Sequence, residues 1–232
     1  YRYRLYPLAA EHGEPDLFGY SAKRPMDYVV NCEMFGVPQR RSRVILLAIR
    51  DDIAREPDNL ELFPGSPATV KSVLAGLPRL RSGLTEEKDT DRAWMDVLRS
   101  ALDEAWFDQI KPDRDSNVRD RILQTLDALL MPRSGRGSEF VRKKKKHNSE
   151  MSEYLKEWLL DDRLDGFCNH RTRSHMASDL HRYLFCASFA KEYQKSPNLS
   201  DFPTRLLPKH RSVDDALKLG AFADRFRVQL PG

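Results

Sequence analysis

The sequence predicts a lopsided α/β chain, with one antiparallel strand pair near the N-terminus followed by a mostly α-helical region with basic loops. Three observations carry this. Two β-favouring runs, 27–32 and 43–49, flank a loop marked by Gly36 and Pro38. Apolar stripes of helical period dominate after residue 90. The sheet so formed has too few strands to stand alone, which points to a piece of a larger fold.

Residues 1–26 read as irregular, because Pro7, Gly13, Pro15, Gly19 and Pro25 interrupt any long element. The run Asp27 to Cys32 reads as a strand. The run Arg43 to Ile49 reads as a second, and its unbroken apolar character predicts burial on both faces. The two are expected to pair as a hairpin with a long loop. From 51 to 83 the chain is loop-rich, apart from a short helix over 68–78 ended by Gly76 and Pro78. Four helical stripes are then expected: Trp94, Val97, Leu98, Ala101 and Ala105; Val118, Ile122, Leu126 and Leu129; Met151, Tyr154, Leu155, Trp158 and Leu159; and Met176, Leu180, Leu184 and Ala187. A Gly, Ser and Lys loop is expected to fill the space between the second and third.

The chain has 232 residues, of which 40% are hydrophobic and 32% charged, a balance that suits a globular protein with a modest core. No apolar run approaches the ~18–20 residues that cross a bilayer, so a membrane protein is not expected. No charged-then-apolar leader is visible, so secretion is not indicated. The 3 cysteines, Cys32, Cys168 and Cys186, are too few and too scattered for a disulfide framework, and a reducing compartment is expected. The chain opens at Tyr1 without Met and closes on an alternating segment that reads as a strand cut short. A longer parent polypeptide is the expectation. Net charge is only +4, but its distribution is uneven. Residues 133–147 hold seven Lys or Arg against one Glu, and 167–182 have Asp179 as the only acid. Such local basic surfaces attract phosphate.

The segment 33–52 raises the sharpest question. Arg40, Arg41 and Arg43 crowd the entry to an aliphatic run. In an extended backbone Gln39, Arg41 and Arg43 share one face, with Arg40 and Ser42 on the other. Guanidinium groups on a rigid mount suit an anionic or carbonyl-bearing ligand. The plainer reading, which spacing alone supports as well, is that Arg41 and Arg43 pair with acids of the fold.

The order Gly36-Val37-Pro38-Gln39-Arg40-Arg41-Ser42-Arg43 before an aliphatic strand resembles a motif of the DNA cytosine-5 methyltransferases. The preceding Gly-Tyr segment and strand also resemble that family. So do 168–185 and the final alternating stretch, which look like the region before its ninth motif in certain bacterial members. The resemblance implies an α/β fragment: a strand pair of the methyltransferase sheet over 1–55, then a mostly helical target-recognition region over 56–232. It further implies methyl transfer from S-adenosylmethionine to C5 of a cytosine flipped out of double-stranded DNA. Arg43 would contact the O2 side of that cytosine, Arg41 a backbone phosphate or the same site, and Gln39 the nucleophile loop.

The departures matter as much. No Pro-Cys pair exists for the family's nucleophile, and the Phe-x-Gly-x-Gly cofactor loop, the Glu-Asn-Val segment and the Gly-Asn-(Ser/Ala)-Val motif are missing. This piece alone is therefore expected to be inactive and not to bind S-adenosylmethionine. Its expected setting is cytoplasmic and DNA-associated, as a monomer, with restriction-modification as the kind of system the resemblance brings in. The alternative is a stand-alone DNA-binding module without catalysis.

Further candidates for DNA contact are Arg40, Lys143, Lys144, Lys145 and Lys146, and the donor-rich Asn169, His170, Arg171, Arg173 and His175 ahead of a helix start. Helix capping and ordinary surface polarity explain the second group equally well. Cys168, His170, His175, His181 and Cys186 have no spacing that fits a closed zinc site, and no metal is expected.

Overall fold

The computed structural model describes residues 1–8, 25–53, 68–85, 88–132, 135–143, 151–209, 213–218 and 228; side chains within 112–116 are not described. The chain divides into two compact units. One comprises Tyr1–Ala75, Asn148–Asp161 and Pro231–Gly232, the other Gly76–His147 and Asp162–Leu230. Mixed α/β content is borne out, as small strand pairs and six α-helices among the described residues.

In the first unit, β1 (Tyr3–Tyr6) pairs antiparallel with β4 (Leu47–Arg50), and β2 (Val29–Asn31) pairs antiparallel with β3 (Ser42–Val44). The expected hairpin therefore exists, in the register Val30 opposite Arg43. Two expectations fail. The run 43–49 is not one strand, because Ile45 and Leu46 separate two strands with different partners. Nor is it buried: Val44, Ile45 and Leu46 are 66%, 38% and 58% exposed. A single partner strand leaves the far edge and much of both faces of β3 uncovered. β1 is a strand within the segment that reads as irregular. Its Arg4 bonds Asp51 at 2.9 Å, and Tyr1 lies under Arg50 at 4.5 Å. The short helix α1 (Val70–Leu74) is as expected; Thr69 caps it by accepting from Ser72 N, and Gly76 turns the chain at φ +90°. In α4 (Glu153–Leu159), Met151 just before it and Leu155 are buried, while Trp158 is 73% exposed.

The second unit holds the larger core. Helices α2 (Asp91–Arg99), α3 (Pro112–Asp127) and α5 (Ala177–Tyr193) pack around Val97, Ala101, Trp106, Ile110, Val118, Ile122 and Phe185. The first two stripes are borne out at Val97, Leu98, Ala101, Val118, Ile122 and Leu126, all buried, but Ala105 lies beyond the end of α2 and is exposed. Pro112 occupies the first turn of α3, where its missing N–H costs nothing. In α5 the expected stripe is only half right. Leu180 and Leu184 are buried, but Ala187 is exposed, and Asp179, His181 and Arg182 lie inside. A central helix is covered nearly all round, so one stripe does not define its buried side. Arg182 is satisfied by Asp179 at 2.8 Å and by the Leu206 carbonyl at 2.8 Å. α6 (Val213–Lys218) follows.

Short strands with extended flanks lie beside these helices. β6 (Phe140–Arg142) pairs antiparallel with β7 (Gly166–Cys168), and β5 (Gly83–Leu84) pairs parallel with β8 (Ser174–His175). Within the loop expected across 133–150, the described residues form a strand at Phe140–Arg142.

Candidate nucleic-acid interface

Two surfaces carry the residues that the sequence singles out. The first is the turn between β2 and β3. Gly36 adopts φ +79°, a left-handed conformation that glycine takes without penalty. Cys32 N donates to Arg41 O at 2.9 Å and Val37 N to Cys32 O at 3.3 Å, so the loop is pinned to its own strands. Gln39 sits in a bend where its N–H donates to Val37 O at 2.7 Å. Strand geometry begins only at Ser42, so side-chain alternation does not extend back to Gln39.

Gln39, Arg40, Arg41 and Arg43 are all exposed. Arg40 lies 4.0 Å from Glu33, whose carboxylate also accepts from the Arg41 backbone N–H at 3.2 Å. Arg43 Nη1 donates to Ser42 O at 2.8 Å. Neither the Arg41 nor the Arg43 side chain forms a salt bridge among the described residues. The acid pairings of the plainer reading are thus absent among the described residues. Opposite Arg43 in the ladder stands Val30, which is buried, so the stem of Arg43 rises from the covered face of the hairpin.

The second surface is the ribbon of the second unit. Backbone bonds extend it well beyond the formal strands, from Thr172 N to Arg136 O at 2.9 Å through to Lys143 N to Asp165 O at 2.8 Å. Two glycines make this possible. Gly137 has φ +76°, and a Cβ there would run into His170 O; a Cβ at Gly166 would lie 2.6 Å from Val141 O. An ionic knot holds the base of the ribbon. Arg81, which is buried, bonds Asp91 at 2.5 Å and Asp89 at 2.6 Å, and Asp89 also receives Arg136 at 3.0 Å. Arg136 then donates to Ser174 Oγ at 3.0 Å and Thr172 O at 3.3 Å. Burial works to lower the Arg81 pKa, but its bonds to Asp91 and Asp89 outweigh that and hold it above the ordinary value. Burial likewise works to raise that of Asp89, yet the Arg81 hydrogen bond and charge keep it below the usual carboxylate range.

The predicted residues separate on this frame. Asn169, in the left-handed region at φ +53°, is exposed at the turn. Arg171 is exposed and bonds Glu139 at 3.2 Å; Arg173 is exposed with no side-chain partner among the described residues. His170 and His175 are half-buried. His170 Nε2 meets Pro78 O at 2.8 Å, and His175 packs edge-on against Tyr183 at 5.2 Å. Lys143 Nζ donates to Leu164 O at 3.0 Å. Lys144, Lys145 and Lys146 lie outside the described residues. The α5 start carries its own carboxylate, Asp179, in the first turn, and so is a poorer phosphate seat than the sequence suggests. Among the described residues no group of three or more His, Cys, Asp or Glu side chains is placed to hold a metal. None of their helices is long and apolar enough to cross a membrane. Sequence reasoning misses Arg142, exposed beside Lys143 on β6; the Phe-Val-Arg alternation is the signal that marks it.

A family model for the C-5 cytosine-specific DNA methylases matches residues 16–178, well over half of the chain. No curated protein and no solved structure matches it. The matched span takes in both the arginine-bearing hairpin and the ribbon, and the chain belongs to the C-5 cytosine-specific DNA methylase family.

Proposed function

We propose that this chain supplies the DNA and target contacts of a cytosine-5 methyltransferase whose nucleophile and cofactor loop lie on another part of the enzyme. One observation carries the reading. Within the family-matched span, Arg41 sits exposed at the end of a pinned loop and Arg43 exposed on β3, and neither side chain has a salt-bridge partner among the described residues. Arginines without an acidic partner among the described residues are available to an external anion or carbonyl.

In this reading duplex DNA presents a cytosine flipped from the stack. Arg43 faces its O2, where a fixed cation stabilises the negative charge that builds as a thiolate adds to C6. Arg41 neutralises a backbone phosphate, and Gln39 braces the nucleophile loop. S-adenosylmethionine supplies the methyl group in this family. The residues present here do not fit it. The sequence has no Phe-x-Gly-x-Gly turn. Two surface concavities among the described residues of the second unit are lined by Arg99, Leu102 and Leu123 in one case and by Thr204, Arg205 and Lys209 in the other, with no glycine in either wall. No role toward the cofactor is assigned to this chain. The lack of any Pro-Cys pair favours one other reading, a DNA-binding module with no catalysis.

Transfer of a labelled methyl group to DNA separates the two. Label on cytosine C5 with the complete native reading frame, and none with these 232 residues alone, is the expected result. No label with either leaves the binding module.

A further inference from the structure

We infer that Glu33 is the positioning residue of the arginine loop: its carboxylate replaces a missing strand carbonyl on the Arg41 N–H and so fixes where the Arg41 guanidinium is presented to DNA. The inference rests on the DNA-contacting role proposed above for Arg41 and names the residue that sets it. The β2–β3 ladder shows what is missing. Ile45 N donates to Tyr28 O at 3.0 Å and Cys32 N to Arg41 O at 2.9 Å, so the hydrogen-bonded pairs of this hairpin are Tyr28 with Ile45, Val30 with Arg43 and Cys32 with Arg41. Such a pair normally exchanges two bonds, each N–H reaching the opposite carbonyl. Between Cys32 and Arg41 the exchange is broken. The chain turns into a single 3-10 turn over Cys32–Met34, and the Cys32 carbonyl accepts from Phe35 N at 3.0 Å and Val37 N at 3.3 Å. The Arg41 N–H goes to Glu33 Oε2 instead, at 3.2 Å.

A carboxylate makes a stronger bond to that N–H than a carbonyl does, because the bond is charge-assisted. It is also an odd neighbour for a surface that takes a polyanion. Glu33 is half-buried, and its other oxygen, Oε1, lies 4.0 Å from Arg40 Nε. By charge alone an acid here opposes phosphate, and its removal would tighten DNA binding. By geometry the same acid does the reverse. On the neighbouring rung Ser42 Oγ donates to Asn31 Oδ1 at 2.8 Å, so the backbone of Arg41 is held at the next residue by Asn31 and at its own N–H by Glu33. A guanidinium on a fixed backbone gives up less freedom when it binds. Losing that hold costs rate, since a displacement of ~1 Å can cost on the order of a hundredfold. The charge effect and the positioning effect have opposite signs, which makes them separable.

The test is steady-state methyl transfer to duplex DNA by the complete native reading frame, carrying Glu33→Ala, Glu33→Gln, Arg41→Ala, or Glu33→Ala together with Arg41→Ala, each assayed below its melting transition. Glu33→Ala is expected to lower kcat/KM about tenfold or more. Glu33→Gln keeps an oxygen acceptor for the N–H without the charge, and is expected to recover to within about threefold of the parent. In the Arg41→Ala background Glu33→Ala is expected to add less than about twofold, because the group it positions is gone. A rise in kcat/KM with both Glu33 variants marks a pure charge effect and overturns the inference. An unchanged kcat/KM in Glu33→Ala, a loss in Glu33→Gln as large as in Glu33→Ala, or full additivity with Arg41→Ala overturns it too. A second readout needs no activity. Hydrogen exchange of the Arg41 amide, followed by NMR in the 232-residue chain, is expected to quicken about tenfold or more in Glu33→Ala. An unchanged exchange rate overturns the inference and leaves the proposed function standing. Absence of transfer by the unsubstituted frame overturns both.

Discussion

Two arginines of this chain illustrate opposite physical situations. Arg43 is exposed and, among the described residues, its side chain bonds only a carbonyl of its own strand. Arg43→Ala should therefore change folding stability by no more than about 0.5 kcal/mol, measured by denaturant unfolding, while methyl transfer by the complete enzyme is lost. A large fall in stability would mark Arg43 as a structural residue instead. Arg81 is the reverse case. Its removal leaves Asp89 and Asp91 without their shared partner, and Arg81→Ala should cost about 3 kcal/mol in the same measurement. Asp89 adds a pH signature. Its folded pKa is depressed, so its contribution is fully present above the unfolded value of about 3.9 and is lost as pH falls toward the folded one. Acid titration of stability should show a component below pH ~4 that Asp89→Asn abolishes. Neither Arg81 nor Asp89 stands out in the sequence, because a salt network whose bonded partners lie up to 47 positions apart leaves no local pattern.

At the scale of elements, periodic signals are legible in the sequence and partner choice is not. The stripes of α2 and α3 report their buried faces directly, because each helix covers one side. Ile122, fully buried, anchors α3, and Ile122→Ala should cost about 3–4 kcal/mol by calorimetry or denaturant unfolding, whereas exposed Trp158→Ala should cost well under about 1. The apolar run 43–49 misleads for a physical reason. Hydrophobicity marks β-competence but does not say that β3 turns to β2 while β4 turns to β1. The ribbon is set by features that look like loop composition. Gly137 and Gly166 read as breakers, yet each is where a side chain would collide with the facing strand. Of the candidate site, the arginine loop is legible from residue order alone. The separation of Asn169, Arg171 and Arg173 from His170 and His175 is not, since it depends on which side chains the ribbon turns inward.

For the whole molecule, family membership and an uneven charge distribution point the same way. The basic segments 133–147 and 167–182 supply both strands of the ribbon and their flanks, and net charge alone, at +4, conceals them. Replacing Lys143 to Lys146 by Gln should flatten the salt dependence of DNA affinity by about 0.9 in slope for each phosphate that is no longer neutralised. An unchanged slope would assign those lysines to the solvent. The measurement that tests the central claim most directly is the affinity of the 232-residue chain for duplex DNA across a salt series. A DNA-contacting portion predicts a log–log line falling with a slope of about −3 or steeper, as several phosphates release counterions. Binding that is absent at low salt, or insensitive to it, would contradict the claim.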